Sequence, residues 1–329
     1  MKIIAEIGSV HDGSFGNACK LVELAAECGA DIVKFQTHIA EAETLVDAPM
    51  PPYFKGEPRM EYFRRTAFSR EQWAEIGNVC TSNGVLFLSS PFSLEAVDLL
   101  ECVGVAAYKV PSGEVTNLPL LEKIASIGKP VLLSSGMSNW DELDAAYEVL
   151  SRTSEVTVMQ CTSEYPCSPK KVGLNVIEEM RQRYGASVGF SDHTEGFAAA
   201  FAAAASGASV FEKHLTFSKK MYGSDAATSM EPGDFKLYCS GLRDIEQMLK
   251  SPVDKDNIAP YAEMKLIFEK SVVAARPIAA GTLLAFEDLA FKKPGDGIPA
   301  ANYRALLGKK LVKDVSVDYK FSDNDFFNE

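Results

Sequence analysis

Two of the chain's four histidines end two successive apolar, strand-like runs, Gly189-Phe190-Ser191-Asp192-His193-Thr194 and Ser209-Val210-Phe211-Glu212-Lys213-His214. On one rim of a parallel sheet, two neutral imidazoles can hold a catalytic divalent metal and leave coordination positions open. Two lysines sit inside other apolar runs, Lys34 in Ile32–Phe35 and Lys109 in Ala106–Val110. A buried ammonium without a partner is costly, so each must meet a bound anion or a structural carboxylate. Glu6 and several serines end further runs. These residue types suit a metal beside a phosphate and a carboxylate, with Glu6 managing a proton or a water. A serine at a strand end serves equally well as a helix cap, so Ser89, Ser90, Ser135 and Ser191 stay open between ligand contact and capping. His11 reads as a loop residue beside the site, and His38 as the start of a segment that covers it.

The elements that must position these groups alternate regularly. The strand candidates are Ile3–Ile7, Ile32–Phe35, Leu86–Ser89, Ala106–Val110, Val131–Ser134, Val156–Cys161, Val188–Phe190 and Val210–Lys213. Between them run amphipathic patterns such as Arg70–Ser82, Leu94–Val103, Leu118–Ser126, Trp140–Leu150, Val176–Arg183 and Ala198–Ser206. Gly29-Ala30, Gly128-Lys129-Pro130 and Gly207-Ala208 read as helix ends handing over to the next strand. Eight such units in about 250 residues fit a closed (β/α)₈ barrel better than an open sheet. The residues at its strand ends then meet in one bowl: Glu6, Lys34, Gln36, Ser89, Ser90, Lys109, Ser112, Ser134, Ser135, Tyr165, Ser191, Asp192, His193 and His214.

After the second run, Thr37 to Ser69 is long for a connection and carries Pro49, Pro51, Pro52 and Pro58 with Tyr53, Phe54, Tyr62 and Phe63; it reads as a lid or substrate wall, with an oligomer contact as the alternative. The texture changes again near Ser251–Asn257. Beyond a helix-like Tyr261–Phe268 come short strands and turns, giving a barrel over residues 1–268 and a small domain over 269–329.

The chain has 329 residues and a formal charge of −12, which argues against a nucleic-acid or anionic-membrane partner because both need a basic face. A small anionic substrate is not excluded, since it feels the lysines of its pocket more than a screened surface. Seven cysteines without a CxxC or paired spacing point to free thiols in the cytoplasm. Cys19, Cys28, Cys80 and Cys102 read as small buried hydrophobes in helices, and Cys161 as a strand-end thiol that nothing requires to be a thiolate. The chain opens on a strand, so no signal peptide is expected, and no apolar run has the length of a membrane span.

Taken in order, one set per strand, the motifs resemble the N-acetylneuraminate (sialic acid) synthase family. They are Glu6-Ile7-Gly8 with His11-Asp12-Gly13, Val33-Lys34-Phe35-Gln36-Thr37, Tyr108-Lys109-Val110-Pro111-Ser112-Gly113-Glu114 and Leu133-Ser134-Ser135-Gly136-Met137. Phe190-Ser191-Asp192-His193-Thr194, Glu212-Lys213-His214 and Gly223-Ser224-Asp225 complete the set. The tail segments Ser271–Arg276, Ile278–Leu284 and Lys292–Ile298 resemble the family's C-terminal antifreeze-like domain, a β-clip of the SAF type. The resemblance implies condensation of phosphoenolpyruvate with an open-chain N-acetylated amino sugar, giving a nine-carbon 2-keto acid and phosphate. It implies manganese (or magnesium or cobalt) on His193 and His214. Lys34, Lys109, Ser112, Ser134 and Ser191 match positions that hold phosphoenolpyruvate. Glu6, Tyr165 and Asp225 match positions facing the sugar or water, and Gln36, Glu114, Ser163 and Lys293 fall in its substrate-binding segments.

It also implies a domain-exchanged homodimer in which the tail closes the partner's barrel. Where the family usually has Asn this chain has Val10, where it often has Asn it has Ser163, and where it commonly has Arg it has Lys293, which lacks the planar fork of donors. The competing expectations are a metal-dependent 3-deoxy sugar acid synthase, which needs a further basic cluster for a phosphorylated sugar, and a noncatalytic carbohydrate- or ice-binding protein built around the tail.

Overall fold

The computed structural model describes residues 1–49 and 56–327. Pro51, Pro52, Tyr53 and Phe54, assigned above to the covering segment, lie outside the described residues. Eight parallel strands close into a barrel in sequence order: β1 Lys2–Gly8, β2 Ile32–Thr37, β3 Leu86–Pro91, β4 Tyr108–Val110, β5 Val131–Ser134, β6 Val156–Gln160, β7 Val188–Asp192 and β8 Val210–His214. β1 pairs with both β2 and β8, which closes the ring.

Strand alternation divides the work between the two faces. Ile3, Ala5 and Ile7 join the large core under the helices, whereas Ile4 joins Leu88, Leu132 and Met159 in a separate apolar plug inside the barrel. Two residues further along the same inward faces come Glu6 after Ile4, Ser90 after Leu88, Ser134 after Leu132 and Cys161 after Met159, all lining one cavity. The floor is apolar and the layer above it polar.

Several of the connecting helices start on side-chain caps. Ser69 and Gln72 form a capping box at Arg70–Ser82, Asn139 and Glu142 another at Trp140–Ser151, and Ser93 caps Leu94–Val103, which ends on the left-handed Gly104. Each cap contributes about 1 kcal/mol and fixes where the chain leaves the strand end. The Arg70 helix buries Trp73, Ile76 and Cys80 on the face toward the barrel. The covering segment is not bare loop: it contains the short helices Ala40–Glu43 and Arg59–Thr66. A 19-residue helix, Pro232–Lys250, was not anticipated from the sequence, although Phe235, Tyr238, Cys239 and Leu242 mark its buried face at helical spacing. Cys102 is exposed, contrary to the expectation of a buried small hydrophobe, while all seven cysteines are free.

The chain divides into compact units at Ser251/Pro252, so residues 252–268 group with the tail and not with the barrel, where the sequence reading put them. In the second unit β9 (Ser271–Ala274) pairs antiparallel with β10 (Leu289–Lys292). Val272, Ile278, Leu284, Leu311, Phe321 and Phe326 fill its own small core. Its buried carboxylates are paired, Asp288 with Arg276 and Asp325 with Lys313.

Candidate active site

The C-terminal ends of the barrel strands enclose a cavity of about 550 Å³. Its deepest layer is an ion-pair chain. Lys34 Nζ lies 2.8 Å from Glu6 Oε2 and 3.6 Å from Glu212 Oε1, and Lys109 Nζ donates to Glu212 Oε2 at 2.9 Å. All four side chains are nearly inaccessible, Glu6 at 1% and Lys109 at 3%. Carboxylates therefore meet both lysines, so the cavity does not hold bare positive charge. Burial works against the ammonium of Lys34, but Glu212 and Glu6 outweigh it and hold its pKa above the usual value. Burial likewise opposes ionisation of Glu212, but Lys109 and Lys34 hold its carboxyl below the usual range.

Glu212 was absent from the sequence-derived set, yet strand alternation marks it. It stands two residues before His214 on β8 and faces inward with it, while the intervening Lys213 pairs with Asp192.

One wall presents the histidines, their ring centroids 6.1 Å apart. His193 Nδ1 is 2.7 Å from the carbonyl of Thr162, so Nδ1 carries the proton and the Nε2 lone pair faces Tyr165 Oη at 3.1 Å and Ser191 Oγ at 3.2 Å. The Tyr165 ring stacks on that imidazole at 4.1 Å. Burial, followed by the neighbouring His214, pushes the pKa of His193 down to about 3. His214 Nδ1 is buried without a hydrogen-bond partner. Among the described residues no three His, Cys, Asp or Glu side chains cluster as a metal cage.

Two glycines let polar side chains crowd into the lining. Gly8, at φ +52°, lets the Asp225 carboxylate approach Glu6 and Gln36: a Cβ there would lie 2.4 Å from Asp225 Oδ2. Asp225 is held by the amide of Ser9 at 3.1 Å and the hydroxyl of Ser224 at 2.9 Å. Gly136 does the same for Ser112, Cys161 and Ser163, whose polar atoms all lie within 2.9 Å of where its Cβ would stand.

Most of the residues singled out by sequence meet here. Glu6, Lys34, Gln36, Lys109, Ser112, Ser134, Ser163, Tyr165, Ser191, His193, His214 and Asp225 all line the cavity. Ser90 lines it too, whereas Ser89 bonds Thr37 and the Phe35 carbonyl, and Ser135 the Met159 carbonyl; these two belong to the barrel wall. Glu114 is not among the lining residues, and accepts from the Asn117 amide at 2.8 Å. Lys293 belongs to the second unit, with its ammonium 4.8 Å from the centroid of the Phe268 ring. Val10 is fully buried in the main core. Arg59 and Phe63 enter the cavity from the helix Arg59–Thr66, where charge and aromatic content had suggested only a general cover.

Acid should weaken this fold. Burial also lowers His11, to about 4, and both buried histidines sit below their ordinary value of 6.5. A folded-state pKa below the unfolded one means the unfolded chain binds more protons. Stability is then full above about pH 6.5 and falls as pH drops toward 4, by about 1.4 kcal/mol per pH unit for each histidine. Urea unfolding at pH 7.5 and 5.5 measures this, and equal free energies would contradict it.

A β/α barrel that gathers two ion-paired lysines and two imidazoles in a cavity at its strand ends has the build of a barrel enzyme. A model of the NeuB family matches residues 21–254, and a model of the SAF domain residues 269–318. The chain belongs to the NeuB family. It is 36% identical over 325 residues to the N,N'-diacetyllegionaminic acid synthase of Campylobacter jejuni, covering 96% of this chain and 97% of that one. It is 35% identical over 324 residues to the human N-acetylneuraminate-9-phosphate synthase, covering 96% and 90%. Among solved structures, the N-acetylneuraminic acid (sialic acid) synthetase of Leptospira borgpetersenii, in complex with citrate, superposes with a TM-score of 0.70 at 26% identity, covering 80% of this chain and 90% of that one.

Proposed function

We propose that the chain condenses phosphoenolpyruvate with an open-chain N-acetylated amino sugar, N-acetylmannosamine or a diacetamido hexose, to give a nonulosonic acid and inorganic phosphate. The carrying observation is the buried Glu6–Lys34–Glu212–Lys109 chain beside His193 and His214 in a NeuB-family barrel. Lys34 and Lys109 hold the phosphate and carboxylate of phosphoenolpyruvate, with Ser112, Ser134 and Ser191 supplying hydroxyls. The enol carbon forms a bond to the sugar's aldehyde carbon, and the aldehyde oxygen takes a proton. Water adds at the carbon bearing phosphate and gives up a proton, and the C–O bond to phosphate then breaks as the remaining hydroxyl proton passes to the departing phosphate, leaving the ketone. Glu6 orients that water or accepts its proton, while Tyr165, Asp225 and Gln36 face the sugar.

His193 and His214 fit a divalent cation, manganese before magnesium or cobalt. The Thr162 contact fixes the tautomer of His193, as outer-shell partners do for metal ligands, and His214 has a buried nitrogen to spare. Charge supports this as well. The lining cations Lys34, Arg59 and Lys109 are matched by Glu6, Glu212 and Asp225, so a phosphate-and-carboxylate ligand would enter a neutral bowl. The cation, when bound, supplies that missing charge and polarises the aldehyde.

An unphosphorylated sugar suits the lid better than a phosphorylated one. Arg64 is paired with Glu41, and Arg65 with Asp12 and Glu57, leaving Arg59 as the lid arginine that lines the cavity. Dimerisation through the tail draws support from exposed Tyr261, Met264, Leu266, Ile267 and Phe268 in the second unit. In that dimer Lys293 reaches the partner's sugar site. Free cysteines and the lack, among the described residues, of a helix able to cross a membrane accord with a cytoplasmic enzyme.

The test is phosphate release with phosphoenolpyruvate, manganese and a panel of N-acetylmannosamine, diacetamido hexoses and their phosphates. Release with a free sugar is the expected result; release only with a phosphorylated sugar replaces the substrate assignment, and release with none sinks the reading. Oxygen-18 in the bridging position of phosphoenolpyruvate is expected to leave with phosphate.

A further inference from the structure

His38, the residue after β2, is clamped between two aromatic rings, with centroids 3.9 Å away at Phe63 and 4.2 Å at Phe92, both nearly parallel to it. Its Nδ1 lies 2.8 and 3.0 Å from the two carboxylate oxygens of Glu43, and its Nε2 lies 3.2 Å from Gln36 Oε1. Gln36 Nε2 then donates to Glu6 Oε1 at 2.7 Å. The imidazole and the Glu43 carboxylate are 7% and 4% exposed, so water does not compete for these contacts.

Only one orientation of the Gln36 amide satisfies the row. Glu6, beside the Lys34 ammonium, is a carboxylate and offers lone pairs alone. The Gln36 amide must therefore turn its NH₂ to Glu6, which sends its carbonyl to His38 and requires an N–H there. Nε2 of His38 carries that proton whether the ring is an imidazolium opposite a Glu43 carboxylate or a neutral tautomer opposite a protonated Glu43. Flipping the amide would press its carbonyl oxygen against the carboxylate of Glu6, acceptor on acceptor, and leave Glu6 without one of its donors.

We propose that His38 and Glu43 are positioning residues: they lock the amide of Gln36 in one orientation and, through it, the plane of the Glu6 carboxylate. This rests on the role of Glu6 proposed above. A water-directing carboxylate rotated out of plane loses rate without losing substrate affinity. The lock is assembled from four segments: β2 and the residue that follows it supply Gln36 and His38, the helix Ala40–Glu43 supplies Glu43, and the stacking rings come from the helix Arg59–Thr66 and the turn after β3.

Two substitutions separate the proton from the ring. His38→Phe keeps a flat ring between Phe63 and Phe92 but has no N–H, and His38→Gln gives up the ring but can put an N–H where Nε2 stood. The expected result is a roughly 10- to 100-fold fall in kcat for His38→Phe, with KM for both substrates within a few-fold of wild type and much of the loss recovered in His38→Gln. Adding His38→Phe to Gln36→Leu should cost nothing further, the mark of two residues acting in series. If the Phe variant fails to fold because Glu43 is left without its partner, His38→Phe/Glu43→Leu removes that charge and is measured instead. Full activity in the Phe variant, equal impairment in the Gln variant, or additive losses with Gln36→Leu would each overturn the proposal. An independent readout needs no turnover. The chain's four histidines make ¹⁵N-histidine NMR assignable, and the signal lost in His38→Phe must report a protonated Nε2 in the wild-type chain. A bare Nε2 refutes the lock. A wild-type chain that releases no phosphate refutes the proposed function instead, and leaves this measurement to stand or fall by itself.

Discussion

Lys109→Met is expected to damage stability and phosphoenolpyruvate binding together, and a second substitution should pull the two apart. Glu212 loses its closest cation, at 2.9 Å, and keeps only Lys34 at 3.6 Å and the Ser191 hydroxyl at 3.4 Å. Stranding a buried carboxylate in this way costs about 3–5 kcal/mol. The lost charge-assisted contact to the substrate anion adds about 1.5–3 kcal/mol of binding, roughly a 10- to 100-fold rise in KM for phosphoenolpyruvate with little change in KM for the sugar. In Lys109→Met/Glu212→Gln the stranded charge is gone, so the unfolding free energy should largely return while KM stays high. Urea denaturation and steady-state kinetics on both variants decide the matter. A normal KM in the single variant would make Lys109 purely structural.

Replacing His193 or His214 by Ala, or treating the wild-type chain with a chelator, should remove almost all turnover. Polarising an aldehyde with a divalent cation is worth several kcal/mol, so the loss should be roughly 10³-fold or more. Because the lining charges balance, chelation should also weaken phosphoenolpyruvate binding, and added manganese should restore it in the wild type but not in either variant. Calorimetric titration of phosphoenolpyruvate with and without manganese measures that coupling. Full activity of both variants in chelated buffer would dispose of the metal.

The barrel was legible because its strands are short apolar runs with punctuated ends, and the predicted bounds of Arg70–Ser82 and Leu94–Val103 coincide with the helices found. Most of the site was legible for the same reason: a polar residue at the end of an apolar strand has few places to point. What escaped depended on pairing across the barrel. Nothing local distinguishes Ser89 from Ser90; only the inward or outward turn of β3 does. Glu212 looked like part of a charged Glu-Lys-His triplet until alternation separated it from Lys213, and His38 looked like a loop entrance because Glu43, Gln36 and two rings converge on it only in three dimensions. Glu114, taken with its motif, points to Asn117 and off the cavity lining, a distinction its neighbours Ser112 and Gly113 do not signal.

Among the described residues, the apolar plug of Ile4, Leu88, Leu132 and Met159 closes the floor of the bowl and leaves its rim as the way in. Lys34 and Lys109 lie at the far end of that passage, whereas Tyr165 and Met137 stand near the threshold, 37% and 63% exposed. Traffic must therefore queue. The small anion has to enter before the sugar, because a sugar arriving first blocks the corridor behind it, and excess sugar should act as an inhibitor that extra phosphoenolpyruvate relieves. On the way out the order reverses around the same bottleneck: phosphate, released at the blind end, departs only after the long acid product has cleared the door.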